Sequence, residues 1–157
     1  MTLEIKTRAA TKNDLPQIVE LKIAMLEEAG FLNLYVSNPY ETVLNDYTQL
    51  YQSKLALHFV AEKDHVLVSM TGAFIKSDIP FYYFKTPNYG FIGDVYTKQA
   101  YRKQGLAKTL SESAIAWLKS QQIEMIRLLA SDAGRSLYES LGFKASDEMI
   151  LWTNQQK

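Results

Sequence analysis

The sequence contains no cysteine, which removes disulfide frameworks, thiolate metal sites and cysteine nucleophiles together. It has only 2 His and no clustered carboxylates, so no metal-ligand set is expected either. Neither sign of charge is in excess. Seventeen Lys plus Arg (17) face 17 Asp plus Glu, leaving no basic field to hold DNA or RNA, and nucleic acid is not an expected partner. No stretch approaches the ~20 apolar residues that span a bilayer. Residues 1–10 alternate charged and apolar types instead of carrying the apolar run of a signal peptide. A cytoplasmic protein with no membrane partner is the expectation. No repeat, low-complexity tract or Pro/Gly/Ser-rich linker divides the chain. What is present is a length of 157 residues, 47% of them hydrophobic, and residues 1–157 are read as one domain with one sizeable core.

Residues 3–8 set Leu3, Ile5 and Thr7 against Glu4, Lys6 and Arg8, the period of a half-buried strand. Leu15, Ile18, Val19, Met25 and Leu26 then recur at helical spacing, with Thr11 as cap and Pro16 in the tolerant first turn; this helix runs to about Gly30. Asn38, Pro39 and Glu41 form a capping-box pattern for a second helix, with Val43, Leu44, Tyr47, Leu50 and Tyr51 along one face. Residues 57–62 and 66–75 read as a hairpin turning at Lys63, Asp64 and His65. Pro80 and Pro87 argue against a central strand over 76–88, which reads as an aromatic loop. A fourth strand over 89–97 precedes an amphipathic helix marked by Leu106, Ala107, Leu110, Ala114, Trp117 and Leu118. A fifth strand over 123–130, a short helix over 133–141 stopped by Gly142, and a closing strand over 148–153 complete the order βααβββαβαβ. Strands four and five flank a helix and should run parallel with a right-handed crossover, while the hairpin makes the sheet mixed.

The turn from the fourth strand into its helix reads Tyr101, Arg102, Lys103, Gln104, Gly105, Leu106, Ala107, Lys108. A helix start leaves backbone N–H groups unpaired at the positive end of the helix dipole. Gly105 allows close approach of the main chain to a ligand and Ala107 keeps the same face open, so a pyrophosphate could be cradled there, with Arg102, Lys103 and Lys108 adding charge. The same pattern also suits a plain strand-to-helix connection with a solvated basic rim. A nucleotide P-loop is set aside, because the stretch lacks that motif's glycines.

Arg102-x-x-Gly105-x-Ala107 at a helix start, followed after a strand by Gly134, Arg135, Leu137, Tyr138, Leu141, Gly142 and Phe143, resembles the GNAT family of acetyl-CoA-dependent N-acetyltransferases. The element order matches the family from Leu3 to Trp152, with the motifs in the C-terminal half. The resemblance implies a central mixed, mostly antiparallel sheet flanked by about four helices, with strands four and five parallel and splayed. It implies that main-chain groups of Val95, Tyr96 and Thr97 pair with the pantetheine amides as an added strand would. It places the pyrophosphate on Lys103, Gln104, Gly105, Leu106, Ala107 and Lys108, beside Arg102. Many members carry an asparagine at the start of the helix after strand five. This chain has Ser131, Asp132, Ala133 and Gly134 there, and Ser131 could hydrogen-bond the cofactor arm.

The family pattern puts the Tyr138 hydroxyl beside the cofactor sulfur. With an ordinary pKa of about 10 it is protonated at neutral pH and can donate to a departing thiolate. The other reading is a core aromatic packed on Phe143. The acceptor amine must lose a proton before attack, and Asp94, just ahead of the pantetheine-pairing residues, could take it directly or through water; an ion-paired Asp94 is the rival reading. Glu41 and His58 are weaker candidates. Phe31, Tyr35, Tyr82 and Tyr83 suggest a pocket for an amine with an apolar body on a small molecule or a peptide. Two functions follow: N-acetyl transfer from acetyl-CoA by direct attack in a ternary complex, or a module that binds acetyl-CoA for sensing or structure. Exposed apolar strand edges or the aromatic loop could support a homodimer.

Overall fold

Both faces of the central strands carry apolar residues, so each face needs a helical cover, and this decides the layering. In the computed structural model, which describes residues 4–32, 37–79 and 87–153, the elements are β1 Lys6–Ala9, α1 Leu15–Glu28, α2 Pro39–Gln52, β2 Ala56–Lys63, β3 Val66–Ser77, β4 Asn88–Thr97, α3 Leu106–Ser120, β5 Ile126–Leu128 and α4 Arg135–Ser140. The strands stand in chain order in one sheet. All neighbours are antiparallel except β4 and β5, which are parallel with α3 as their crossover. This is the mixed, mostly antiparallel sheet expected.

Val60, Leu67 and Met70 turn to one face, where they meet Ile18, Val19 and Leu21 of α1 and Val43 and Tyr47 of α2. Their strand neighbours turn the other way: Ala61 and Val68 pack on Leu110 of α3, and Ala73 and Ile92 on Ala114 and Leu118. Each large aliphatic side chain buried in this way contributes about 1.5–3 kcal/mol. A Cβ on Gly90 would stand 2.9 Å from Leu118 Cδ1 and 3.2 Å from Ile126 Cγ1. Glycine there lets α3 close over the β4–β5 junction.

Local signals held in part. Before α1, a short 3-10 turn at Lys12–Asp14 is closed by the Thr11 N–H donating to Asp14 Oδ2 at 2.7 Å. Helix α2 begins at Pro39, but the expected capping box does not form. Asn38 lies at φ −127° and ψ 73° without a side-chain cap, and the Thr42 N–H bonds Asn38 O at 3.0 Å. Gly142 follows α4 at φ 96°, the left-handed stop its position implied.

Two strand expectations are corrected. Strand five, expected over 123–130, shortens to Ile126–Leu128. Its first residue is taken up by the turn that ends α3: Gln122 is left-handed at φ 63° and the Ile123 N–H bonds Leu118 O at 3.1 Å. The closing strand over 148–153 is absent among the described residues. Apolar composition marks what a segment could pair with, but a strand exists only where a neighbour offers an edge in register, and no such pairing is made there.

Candidate active site

β4 pairs with β5 only from Gly90 to Ile92, opposite Ile126 to Leu128. Beyond that point the two strands part. The cause lies on the other side of β4, where Gly72 pairs with Gly93 and Met70 with Tyr96, so that β4 holds one extra residue. The bulge is centred on Asp94, which adopts φ 53°, a left-handed conformation unusual for a side-chain-bearing residue. Val95 lies in the bulge, Tyr96 and Thr97 pair with Met70 and Ser69 of β3, and all three stand past the end of β5 on the other side.

Asp94 is 7% exposed and lies amid donors. Lys22 Nζ stands 2.5 Å from its Oδ1, His58 Nε2 stands 2.9 Å from its Oδ2, and the Tyr47 hydroxyl also donates to Oδ2. The completely buried His58 is held in turn by Tyr51, whose hydroxyl accepts from the His58 N–H at 2.9 Å and meets Nδ1 at 2.9 Å. Burial alone would raise the pKa of Asp94. The hydrogen bond from His58 and the charge and hydrogen bond of Lys22 outweigh it and hold the carboxyl well below the usual range. Burial likewise pushes the Tyr51 hydroxyl upward. The candidate base is thus an ionised carboxylate that accepts from three donors within a buried cluster drawn from α1, α2, β2 and β4. Lys22 went unnoticed in the sequence. The available signal was a lysine four residues after Ile18, on the stripe that faces the core.

After β4, a 3-10 turn at Gln99–Tyr101 leads to Lys103 at φ 64° and Gly105 at φ 77°, and α3 starts at Leu106. Gly105 forms no side-chain cap, and a Cβ built on it would meet nothing within 4 Å. The first-turn N–H groups of α3, around Leu106, Ala107 and Lys108, thus have no capping side chain and open space beside Gly105, an arrangement suited to an anion. The Arg102 side chain turns away from it. Its Nε donates to Thr97 O at 2.8 Å and its Nη2 lies 2.7 Å from Glu28 Oε1 at the end of α1. Glu28 also accepts from the Tyr96 hydroxyl at 3.0 Å. Together the hydrogen bonds from Arg102 and Tyr96 hold the Glu28 carboxyl below its ordinary range. Lys103 and Gln104 sit at the rim of the loop, both exposed.

On the β5 side of the opening, the Ser131 hydroxyl accepts from the Gly134 N–H at 3.2 Å at the start of α4. Tyr138 is buried and meets Phe143 edge-on, ring centroids 6.1 Å apart. A Cβ on Gly134 would press the Tyr138 ring at 3.0 Å, so the glycine of the motif makes room for the tyrosine. Burial raises the pKa of Tyr138, which keeps its hydroxyl protonated at neutral pH. Tyr138 borders a cleft of about 770 Å³ walled by β5, α4 and residues 143–150, to which residues 95–108 contribute nothing. Of the proposed acceptor residues, Phe31 is exposed just after α1, while Tyr35, Tyr82 and Tyr83 lie outside the described residues. Among the described residues no group of three or more His, Asp or Glu could hold a metal, and no helix is long and apolar enough to cross a membrane.

Known proteins share this fold. The profile of the acetyltransferase (GNAT) family matches residues 23–143. Aminoglycoside N(6')-acetyltransferase type 1 of Acinetobacter haemolyticus is 27% identical over 121 residues, which is 71% of this chain and 79% of that protein. A predicted acetyltransferase from Clostridium acetobutylicum, solved with acetyl-CoA, superposes with a TM-score of 0.86 at 22% identity over 96% of both chains. Glucosamine-6-phosphate N-acetyltransferase from Arabidopsis thaliana superposes with a TM-score of 0.71 at 18% identity over 96% of this chain and 99% of that one. The structural likenesses establish the fold, and the profile match spans β4, the glycine turn and α4. The chain belongs to the GNAT family of acetyltransferases, enzymes whose acetyl donor is acetyl-CoA.

Proposed function

We propose that this protein transfers an acetyl group to a primary amine of a small molecule or peptide by direct attack within a ternary complex. The observation that carries the reading is the sequence of open main-chain groups from the splayed end of β4 to the left-handed Gly105 and the uncapped start of α3. Those residues fit acetyl-CoA, which when bound supplies an acetyl group activated as a thioester. Val95, Tyr96 and Thr97 would bind its amide-bearing arm as a strand edge binds a peptide. Lys103, Gln104, Gly105, Leu106, Ala107 and Lys108 would hold its pyrophosphate through N–H groups and flanking charge. Arg102 would act by bracing this loop against Glu28 and Thr97. Ser131 and Gly134 would shape the other wall of the opening and seat Tyr138. Tyr138 would donate its hydroxyl proton to sulfur as the C–S bond breaks and the amine nitrogen bonds the acetyl carbon. Asp94 has its oxygens occupied by three donors, so its part is to pin the bulge while the amine sheds its proton to water. The aminoglycoside acetyltransferase likeness supports a small-molecule amine, and Phe31, with Tyr35, Tyr82 and Tyr83, would supply an apolar wall for its body.

Calorimetric titration with acetyl-CoA tests this. One-to-one binding with Kd below about 1 mM is expected, weakened at least ten-fold by Gly105→Glu, which strains a left-handed position and puts a carboxylate where phosphate should lie. A folded protein that shows no saturable binding overturns the reading.

A further inference from the structure

The strand edge and turn that fit acetyl-CoA are held only in part by packing. Val95, Tyr96 and Tyr101 reach the core, but no residue from Val95 to Gly105 is fully buried. β5 ends before it could support this stretch, and Lys103 keeps a left-handed φ of 64° without being glycine. A segment with so few apolar contacts does not fix its own conformation. Polar links from outside it must supply the order.

The C-terminal half of α1 provides one. The fully buried residues of this helix, Leu15, Ile18, Val19 and Leu21, all lie in its first half. Beyond them Ile23 packs partly on the core, and two charged side chains reach β4 and the turn after it: Lys22, 2.5 Å from Asp94, and Glu28 at the last position of the helix. The Glu28 carboxylate meets Arg102 Nη2 with both oxygens, at 2.7 and 2.8 Å, and accepts from the Tyr96 hydroxyl at 3.0 Å. Arg102 Nε closes the set on Thr97 O at 2.8 Å, and its guanidinium stands 5.7 Å from the centre of the Tyr96 ring. One carboxylate thereby ties the first residue of the glycine-turn motif to two residues of the splayed edge.

Solvent-exposed ion pairs ordinarily add little stability, and the side chains of Arg102 and Glu28 are 38 and 48% exposed. What convergent donors supply here is orientation, which removes ordering that ligand binding would otherwise require. We propose that Glu28 is a positioning residue for acetyl-CoA, acting through Arg102 and Tyr96 to hold the splayed end of β4 and the glycine turn in their cofactor-ready arrangement. The proposal rests on the placement of acetyl-CoA along those residues. Its sign separates it from plain electrostatics. Acetyl-CoA is a polyanion, so removing a nearby negative charge would tighten binding if charge alone mattered, whereas removing a positioning group weakens it.

Calorimetric titration of the full chain with acetyl-CoA at about 0.15 M salt is the test. Glu28→Gln and Glu28→Ala are expected to weaken binding about five-fold or more, with the thermal midpoint within about 2 °C of the parent. In an Arg102→Ala background the same substitutions are expected to weaken binding less than about two-fold further, since their main partner is gone. Unchanged or tighter binding in both single variants overturns the proposal, as does a further loss of about five-fold in the Arg102→Ala background. A loss that comes with a midpoint lowered by about 5 °C or more makes Glu28 a structural residue and overturns it too. A folded parent protein that binds no acetyl-CoA overturns the cofactor placement itself, and this proposal with it.

Discussion

Tyr138 owes its placement to a few neighbours in sequence. Gly134 leaves the space its ring occupies, Gly142 ends the helix that carries it, and Phe143 packs on its edge. Because these contacts lie within the ten residues from Gly134 to Phe143, replacing the hydroxyl alone should disturb nothing but proton donation. Tyr138→Phe is expected to lower turnover by about ten-fold or more while acetyl-CoA affinity, measured by calorimetry, is unchanged. Equal turnover in the two proteins would remove the hydroxyl from the reaction. This locality is also why Tyr138 was legible in the sequence. Asp94 was legible only as a carboxylate on a strand. Its three donors lie 72, 47 and 36 residues away, and no local pattern links Lys22, Tyr47 and His58 to it.

At the scale of the element, β4 is the part that makes a site from a sheet. One extra residue turns the strand out of register, and the left-handed turn at Asp94 costs about 1–2 kcal/mol that the surrounding donors must offset. Asp94→Asn removes the charge paired with Lys22 and is expected to destabilise the fold by about 3 kcal/mol or more in chemical denaturation. The same variant, assayed where it is folded, is expected to keep the alkaline and acid limbs of the wild-type pH–rate profile in place. Loss of a limb would make Asp94 the base after all. Helices and the β2–β3 hairpin were readable from their periods, since each forms largely from its own residues. The length of β5 and the state of residues 148–153 were not, because strand formation depends on an edge that the rest of the fold provides.

Across the whole molecule, two acidic side chains tie distant parts of the chain together. Asp14, at the start of α1, accepts from Arg8 of β1 at 2.8 and 2.9 Å, and Asp94 joins β4 to α1 and β2. The hydrogen bond from Arg8 holds Asp14 below its ordinary pKa, as His58 and Lys22 hold Asp94. The folded chain therefore binds these protons more weakly than the unfolded chain. Their contribution is full above the unfolded value of about 4 and is lost as pH falls through that value toward the depressed folded ones. The thermal midpoint is expected to be level between about pH 5 and 7 and to drop steeply below about pH 4. A midpoint at pH 3 equal to that at pH 6 would mean that neither pair contributes.

The sequence by itself determined the element order through α4, the glycine turn ahead of α3 and the tyrosine of α4, because periodicity, left-handed turns and helix stops are written in residues close together. Only the tertiary structure decided that β4 bulges away from β5, that Asp94 is enclosed by Lys22, Tyr47 and His58, that Arg102 is bound to Glu28, and that residues 148–153 join no strand among the described residues. Each of these depends on groups brought together from far apart in the chain, and on which edges and charges remain once the core has closed.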